Sequence, residues 1–258
     1  MGNTVLVEKS GRVAILTINR PDKMNALSEQ VRVELLAALA EAERDEGVGV
    51  VVLTGAGEKA FIAGADIGEF AGRTPFDQRA AMRTPRIFDV MATFPKPVIA
   101  MINGFCLGGG CELAMSCDIR VASDRASFGQ PEINLGLIPG GGGTQRMPRL
   151  IGLGQAMRLI LSGDRIPVAE AKEIGLVDLV FPHEALREKT LELATRIAAR
   201  SPLTLKVAKE AVRASERLAI EEGLMWERDL FCLCFSSADK QEGVEAFLAK
   251  RPPAWTGR

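Results

Sequence analysis

The chain has 258 residues, 47% apolar and 25% charged, and its 32 basic and 33 acidic side chains leave a net charge of −1. This composition predicts one large globular domain, or a domain with an appendage, and enough apolar material for a core. Balanced charge argues against an electrostatically driven binder of nucleic acid or membrane surfaces. No apolar run approaches the ~20 residues that span a bilayer. Met1-Gly2-Asn3-Thr4 leads at once into a strand-like segment, and Leu6 stands where a myristoylation signal needs Ser or Thr, so a cytoplasmic location is expected. One His, His183, and no Tyr rule out a His-built metal site and leave a Ser-His-Asp machine only His183 to run on. The five Cys (106, 111, 117, 232 and 234) form no C-x-x-C pair and are odd in number, which predicts reduced, mostly buried thiols. Proton transfer then falls to carboxylates.

Val5–Val7 and Val13–Ile18 flank the turn signal Ser10-Gly11 and predict a hairpin. Ser28 is placed to cap a helix through Asp45, with Val31, Leu35, Leu39 and Ala42 on its apolar face. The run Gly47–Thr54 fits a strand buried on both sides, and a Gly-rich loop, 55–64, follows it. Residues 66–94 look helical but are interrupted by Gly and Pro, with a possible helix start at Asp66. Pro97–Ile102 and Ile119–Ala122 are further strands on either side of a short helix, Cys111–Cys117. Thr144 is a plausible N-cap after the second Gly run, Gly140–Gly143. Alternating strands and helices to about residue 150 imply an α/β core. After an apolar stretch at Leu176–Val180, segments 183–200, 203–219, 221–235 and 238–250 read as helices that pack on one another or on a partner subunit. The last eight residues read as a tail.

The chemistry concentrates in three segments. In Asn103–Asp118 (N-G-F-C-L-G-G-G-C-E-L-A-M-S-C-D) a strand runs into three glycines and a helix. The first turn of such a helix offers unpaired N–H groups and a positive dipole end, and the glycines admit close approach. That suits a phosphate or a developing oxyanion. The P-loop, G-x-G-x-x-G and G-x-S-x-G patterns are absent, which leaves an oxyanion site beside Glu112. A Glu in a first turn also fits a purely structural role, complementing the dipole. The second segment, Lys59–Asp66, is a loop of small residues. The third, Phe128–Arg146 (F-G-Q-P-E-I-N-L-G-L-I-P-G-G-G-G-T-Q-R), places Glu132 after Pro131 and ahead of the second Gly run.

Together these segments resemble the enoyl-CoA hydratase/isomerase (crotonase) family. The resemblance runs through Asn19-Arg20-Pro21, Asn25-Ala26-Leu27, A-G-A-D-I at 63–67, the Asn103–Asp118 run, F-G-Q-P-E and I-P-G-G-G-G-T-Q-R. It continues to Leu161-Ser162-Gly163, Glu242-Gly243 and Lys250-Arg251. It implies an α/β fold, a crotonase-type spiral of ββα turns over 1–199 that carries the CoA-thioester site. A helical trimerisation region, 200–258, would follow, in a homo-trimer or a hexamer made of two trimers. The substrate would be an acyl-CoA thioester, with no cofactor and no metal. The family's oxyanion hole maps onto the N–H groups of Ala65 and Gly109. Its substrate-binding positions map onto Ala63, Gly64, Ala65, Asp66, Ile67, Gly68, Gly109 and Gly140. Glu112 and Glu132 match the two-carboxylate hydratase pattern, in which one activates water and the other delivers a proton to the α carbon.

Siblings lacking one Glu isomerise double bonds, hydrolyse thioesters or decarboxylate, so an enoyl-CoA isomerase is the nearest alternative. A non-catalytic acyl-CoA- or RNA-binding relative is a more distant one. Gly68 stands where some hydratases carry a CoA-binding Lys, which leaves Lys23 as a candidate for phosphate contact, although an exposed surface Lys looks the same. Leu107 and Ile62 are expected to border the acyl channel.

Overall fold

The computed structural model describes residues 2–82 and 85–258. The hairpin forms as β1 (Val5–Ser10) and β2 (Val13–Ile18), paired antiparallel across Gly11 at φ +57°. Helix α1 (Glu29–Arg44) is capped by Ser28, whose Oγ accepts from Val31 N at 3.3 Å, and it buries Val31, Leu35, Leu39 and Ala42. From β3 onward each turn of chain gives one strand to each of two sheets. β3 (Val50–Gly55), β5 (Val98–Ile102) and β7 (Ile119–Ser123) join the large sheet. β4 (Ala60–Ile62), β6 (Phe105–Leu107) and β8 (Ser127–Gly129) join the small one. With β9 (Arg165–Pro167) and β10 (Leu179–Phe181) the orders are β1-β2-β3-β5-β7-β10 and β4-β6-β8-β9. All pairings from β2 onward in the large sheet are parallel.

Side-chain alternation divides the core. Val51, Leu53, Val98, Ala100 and Ile102 face α1 and the small sheet. Val50, Val52, Ile99 and Met101 face the opposite way, toward α8 (Leu186–Ala198). A strand buried on both sides has to be apolar at every position, as 50–53 is.

The stretch 66–94 is helical with interruptions, as expected: a 3-10 turn, Ile67–Phe70, and two short helices, α2 (Pro75–Ala81) and α3 (Ile87–Thr93), with 83 and 84 outside the described residues. The helical turn does start at Asp66, which is its N-cap residue, although its side chain makes no capping bond. Helix α5 (Gly143–Ile151) is capped by Gly142 at φ +110°, so Thr144 already lies inside it. The short strands β4, β6, β8 and β9 have too few residues to show a period, and the sequence gives no sign of them.

Helices α6 (Leu153–Ser162) and α7 (Val168–Glu173) lead to β10, and α9 (Pro202–Ala214), α10 (Ile220–Cys234) and α11 (Ala238–Leu248) complete the chain. Helix α9 is tied to the core by Lys209 and Arg213, which pair with Asp118 at 2.6 and 3.0 Å. The expected tail is anchored instead. Buried Asp239 accepts from Ser201 Oγ, Thr256 N and Gly257 N, and Trp255 Nε1 donates to Ala199 O.

Candidate active site

Strand β6 ends at Leu107, and Gly108 (φ +50°, ψ −125°) turns the chain into α4 (Gly109–Ser116). Only glycine adopts that conformation without strain, and a β-carbon there would also lie 2.8 Å from Glu132 Oε1. As the first residue of α4, Gly109 has no intrahelical acceptor for its N–H. Helix α4 can sit this close to β4 because Gly110 has no side chain, for a β-carbon on it would lie 2.0 Å from Ile62 O.

The 63–66 loop is brought to the same place by the early R-P-D-K-M-N-A-L stretch. Asn25, fully buried at φ +57°, accepts from Arg20 N and donates to Ala56 O and Ala60 O. Arg20 donates to Ala26 O at 2.8 Å and to Asp66 Oδ2 at 2.9 Å. Leu27 N donates to Gly64 O and Asp66 N donates to Leu27 O, which leaves the Ala65 N–H between those bonds and turned away from them. A β-carbon built on Gly109 would lie 3.6 Å from Ala65 N, so the two backbone segments are neighbours at this point. Among the described residues neither N–H donates to a protein acceptor.

Two carboxyls flank this pair. Glu112, 3% exposed, lies in the first turn of α4, and its Oε1 accepts from Gly141 N at 2.6 Å and Gly143 N at 2.7 Å. Burial raises its pKa above the ordinary value, against the pull of those two amides. Glu132 stands in the 3-10 turn Pro131–Leu135, half-buried, and is pushed up to about 7 by burial and by the charge of Glu112. With its carboxamide nitrogen turned toward Glu132, buried Gln130 donates to both carboxylate oxygens at 3.2 and 3.1 Å. Two carboxyls with raised pKa beside two adjacent backbone amides make a site suited to adding or moving protons next to a carbonyl that gains negative charge.

The structure thus brings Ala63, Gly64, Ala65, Asp66 and Gly109 together, with Glu112 and Glu132 alongside. Ile67, Gly68 and Gly140 lie exposed at the rim, and Lys23 is exposed on the turn Pro21–Lys23. Ile62 is fully buried beneath α4, while Leu107 is half-buried with its carbonyl 3.6 Å from a β-carbon built on Gly64. Two participants, Gln130 and Arg20, were given no role by the sequence. Gln130 sits inside F-G-Q-P-E and Arg20 inside Asn19-Arg20-Pro21, but the contact of Arg20 with Asp66 spans forty-six positions and leaves no local signal. His183 takes no part, its Nδ1 lying 3.0 Å from Ser123 Oγ. Cys106, Cys111 and Cys117 are buried as free thiols, whereas Cys232 is exposed. Among the described residues no cluster of His, Cys, Asp or Glu could hold a metal ion, and no helix is long and apolar enough to cross a membrane.

A profile of the family described as Enoyl-CoA hydratase/isomerase matches residues 8–258. The short-chain-enoyl-CoA hydratase of Clostridium acetobutylicum is 44% identical over 250 residues, covering 96% of each chain. The 2,3-dehydroadipyl-CoA hydratase of Escherichia coli is 43% identical over 256 residues, covering 98% of this chain and 99% of that one. The crystal structure of an enoyl-CoA hydratase from Bacillus anthracis superposes with a TM-score of 0.93 at 42% identity, over 99% of this chain and all of the other.

Proposed function

Because the chain belongs to the enoyl-CoA hydratase/isomerase family, we propose that it is a hydro-lyase that adds water reversibly across the double bond of a 2-trans-enoyl-CoA, giving a 3-hydroxyacyl-CoA. The observation that carries this reading is that Glu112 and Glu132, both with raised pKa, stand beside the adjacent backbone segments of Ala65 and Gly109. The thioester carbonyl accepts from the N–H groups of those two residues. Conjugation makes its oxygen the place where charge collects as water attacks the β carbon, and fixed donors stabilise that charge without reorganising. Glu112 in its ionised form takes a proton from the attacking water, and Glu132 in its protonated form gives one to the α carbon. One proton is taken and one given, and before the next turnover the proton on Glu112 returns to Glu132 through water, so the cycle closes without a metal or a cofactor beyond the CoA carried by the substrate.

The residues around the thioester are Ala63, Gly64, Ala65, Asp66, Ile67, Gly68, Gly109 and Gly140, and Lys23 is the candidate for the CoA phosphates. Fatty-acid or related acyl-CoA breakdown is the setting we assign to the reaction, a reading supported by relatives named as short-chain-enoyl-CoA and 2,3-dehydroadipyl-CoA hydratases. A cytoplasmic enzyme acting on acyl-CoA, without nucleic-acid or membrane partners, fits the composition. We assign residues 200–258 to contacts within a homo-trimer or hexamer.

Incubation with crotonyl-CoA tests the reading. Loss of the conjugated enoyl-thioester absorbance and chromatographic appearance of 3-hydroxybutyryl-CoA are expected. Conversion of a 3-enoyl thioester without any hydration would make it an isomerase instead.

A further inference from the structure

Glu112 is held by two amides of the Gly140–Gly143 loop, and one of those amides is itself held from behind. The C=O of Gly140 and the N–H of Gly141 belong to one peptide unit, and in a planar trans peptide they point in opposite directions. Gly141 N–H donates to Glu112 Oε1 at 2.6 Å, and on the far side of that unit Arg86 Nη2 donates to Gly140 O at 2.5 Å. Arg86 is well placed for this. It stands at the N-cap of α3, which is anchored in the core by Ile87 and Met91. Its guanidinium lies 5.4 Å over the Phe88 ring, and Phe88 in turn packs against Gly141, where a β-carbon would come within 2.7 Å of the ring. Arg146 donates to Gly141 O at 2.8 Å, but the N–H of that peptide unit belongs to Gly142, which is not a donor to Glu112. Asp89 lies 3.9 Å from Arg86 and 3.5 Å from Arg146 and restrains both.

We propose that Arg86 is a positioning residue for the hydration reaction, orienting and polarising the Gly140–Gly141 peptide so that its N–H fixes the carboxylate of Glu112. Polarisation through a chain of hydrogen bonds strengthens the bond at its far end. A donor lost from Gly140 O frees the peptide to rotate, because glycine on both sides offers little resistance. The proposal rests on the hydratase reading for its kinetic consequence and on the loop alone for its structural one.

The experiment compares Arg86→Met, Arg86→Lys and Arg146→Met, each first checked for wild-type circular dichroism and oligomer size. For Arg86→Met, kcat on crotonyl-CoA is expected to fall about 10- to 100-fold with KM changed less than about threefold, because a misplaced catalytic group costs turnover rather than ground-state binding. The charged groups facing Glu112 are Arg86, Arg146 and Glu132, and both arginines favour its ionised form. Either Arg→Met change should therefore move the acid limb of the pH profile upward, but only Arg86→Met should also lower kcat at its optimum. Arg86→Lys, or guanidinium ion added to Arg86→Ala, should restore a measurable part of the rate.

Amide hydrogen exchange over residues 138–146 is the readout independent of activity, with faster exchange expected in Arg86→Met than in Arg146→Met. Wild-type kcat, acid limb and exchange in a folded Arg86→Met would overturn the proposal, as would an equal kcat loss in Arg146→Met. If the wild-type protein hydrates no enoyl-CoA, the hydratase reading fails, and the exchange comparison alone decides whether Arg86 holds the loop.

Discussion

Glu132 carries the more displaced proton of the two site carboxyls, at about 7 against an ordinary value of 4.5, because it gives up water and faces the charge of Glu112. As a proton donor it must be protonated, so hydration should decline as pH rises through about 7. The ionised Glu112 sets an acid limb displaced upward from the usual carboxylate range. A pH profile of kcat on crotonyl-CoA measures both limbs. The same shift has a consequence for stability. The pKa of Glu132 is raised on folding, so the folded state binds the extra proton between about 4.5 and 7, and stability falls as pH rises through that window. Glu132→Gln removes the ionised form, so thermal melts should show it more stable than wild type at pH 8 and nearly equal to it near pH 4. In turnover, Glu112→Gln and Glu132→Gln should each lose at least ~100-fold. The double variant should lose far less than the product of the two, since groups that act on one water are not additive.

At the scale of elements, the site depends on how closely α4 rides on β4 and how the Gly108 turn presents its first amide. Gly110→Val would drive a β-carbon onto Ile62 O, which is backbone and cannot rotate away. Denaturant melts should report a loss of about 3 kcal/mol or a failure to fold. Gly109→Pro removes the N–H while keeping the helix start, where Pro is tolerated. Turnover should collapse with much less damage to CoA binding, because that donor matters most once the carbonyl has gained charge. The C-terminal strap poses a separate question. Asp239→Ala would strand Ser201 Oγ, Thr256 N and Gly257 N together. It should destabilise the chain by about 2–3 kcal/mol and free the last residues for proteolysis.

Over the whole molecule, the end opposite the sheets leaves much apolar surface uncovered. Ile220, Leu224, Phe231, Phe247 and Leu248 are each more than half exposed, Phe247 by 82%. A single subunit in water rarely leaves so much large apolar side chain uncovered in one region. These helices are the expected trimer contacts, and light scattering at micromolar concentration should give a trimer or hexamer. A monomer there would remove residues 200–258 from any role in assembly. Phe247→Asp should shift the distribution toward smaller species, since it places a charge on a surface that assembly would desolvate.

The amino-acid sequence by itself determined the hairpin, α1 with its Ser28 cap, the buried strands at 50–55 and 98–102, the long C-terminal helices and the Gly108–Glu112 turn. Each is written in local terms, as a period, a cap or a run of glycines. The pair of glutamates was legible too, through resemblance to a family rather than through any local rule. Only the tertiary structure decided which partners hold them. The strands of the small sheet, three residues each, take their conformation from neighbours on either side. The Gly140–Gly143 loop points two amides at Glu112, and the one at Gly141 is backed by Arg86, which donates to Gly140 O from fifty-four residues earlier. The side chain of Asp66 is paired with Arg20 across forty-six positions and makes no bond to the turn that it begins. In each case the free energy comes from contacts between segments far apart in the chain, and no window of the sequence contains both halves of such a contact.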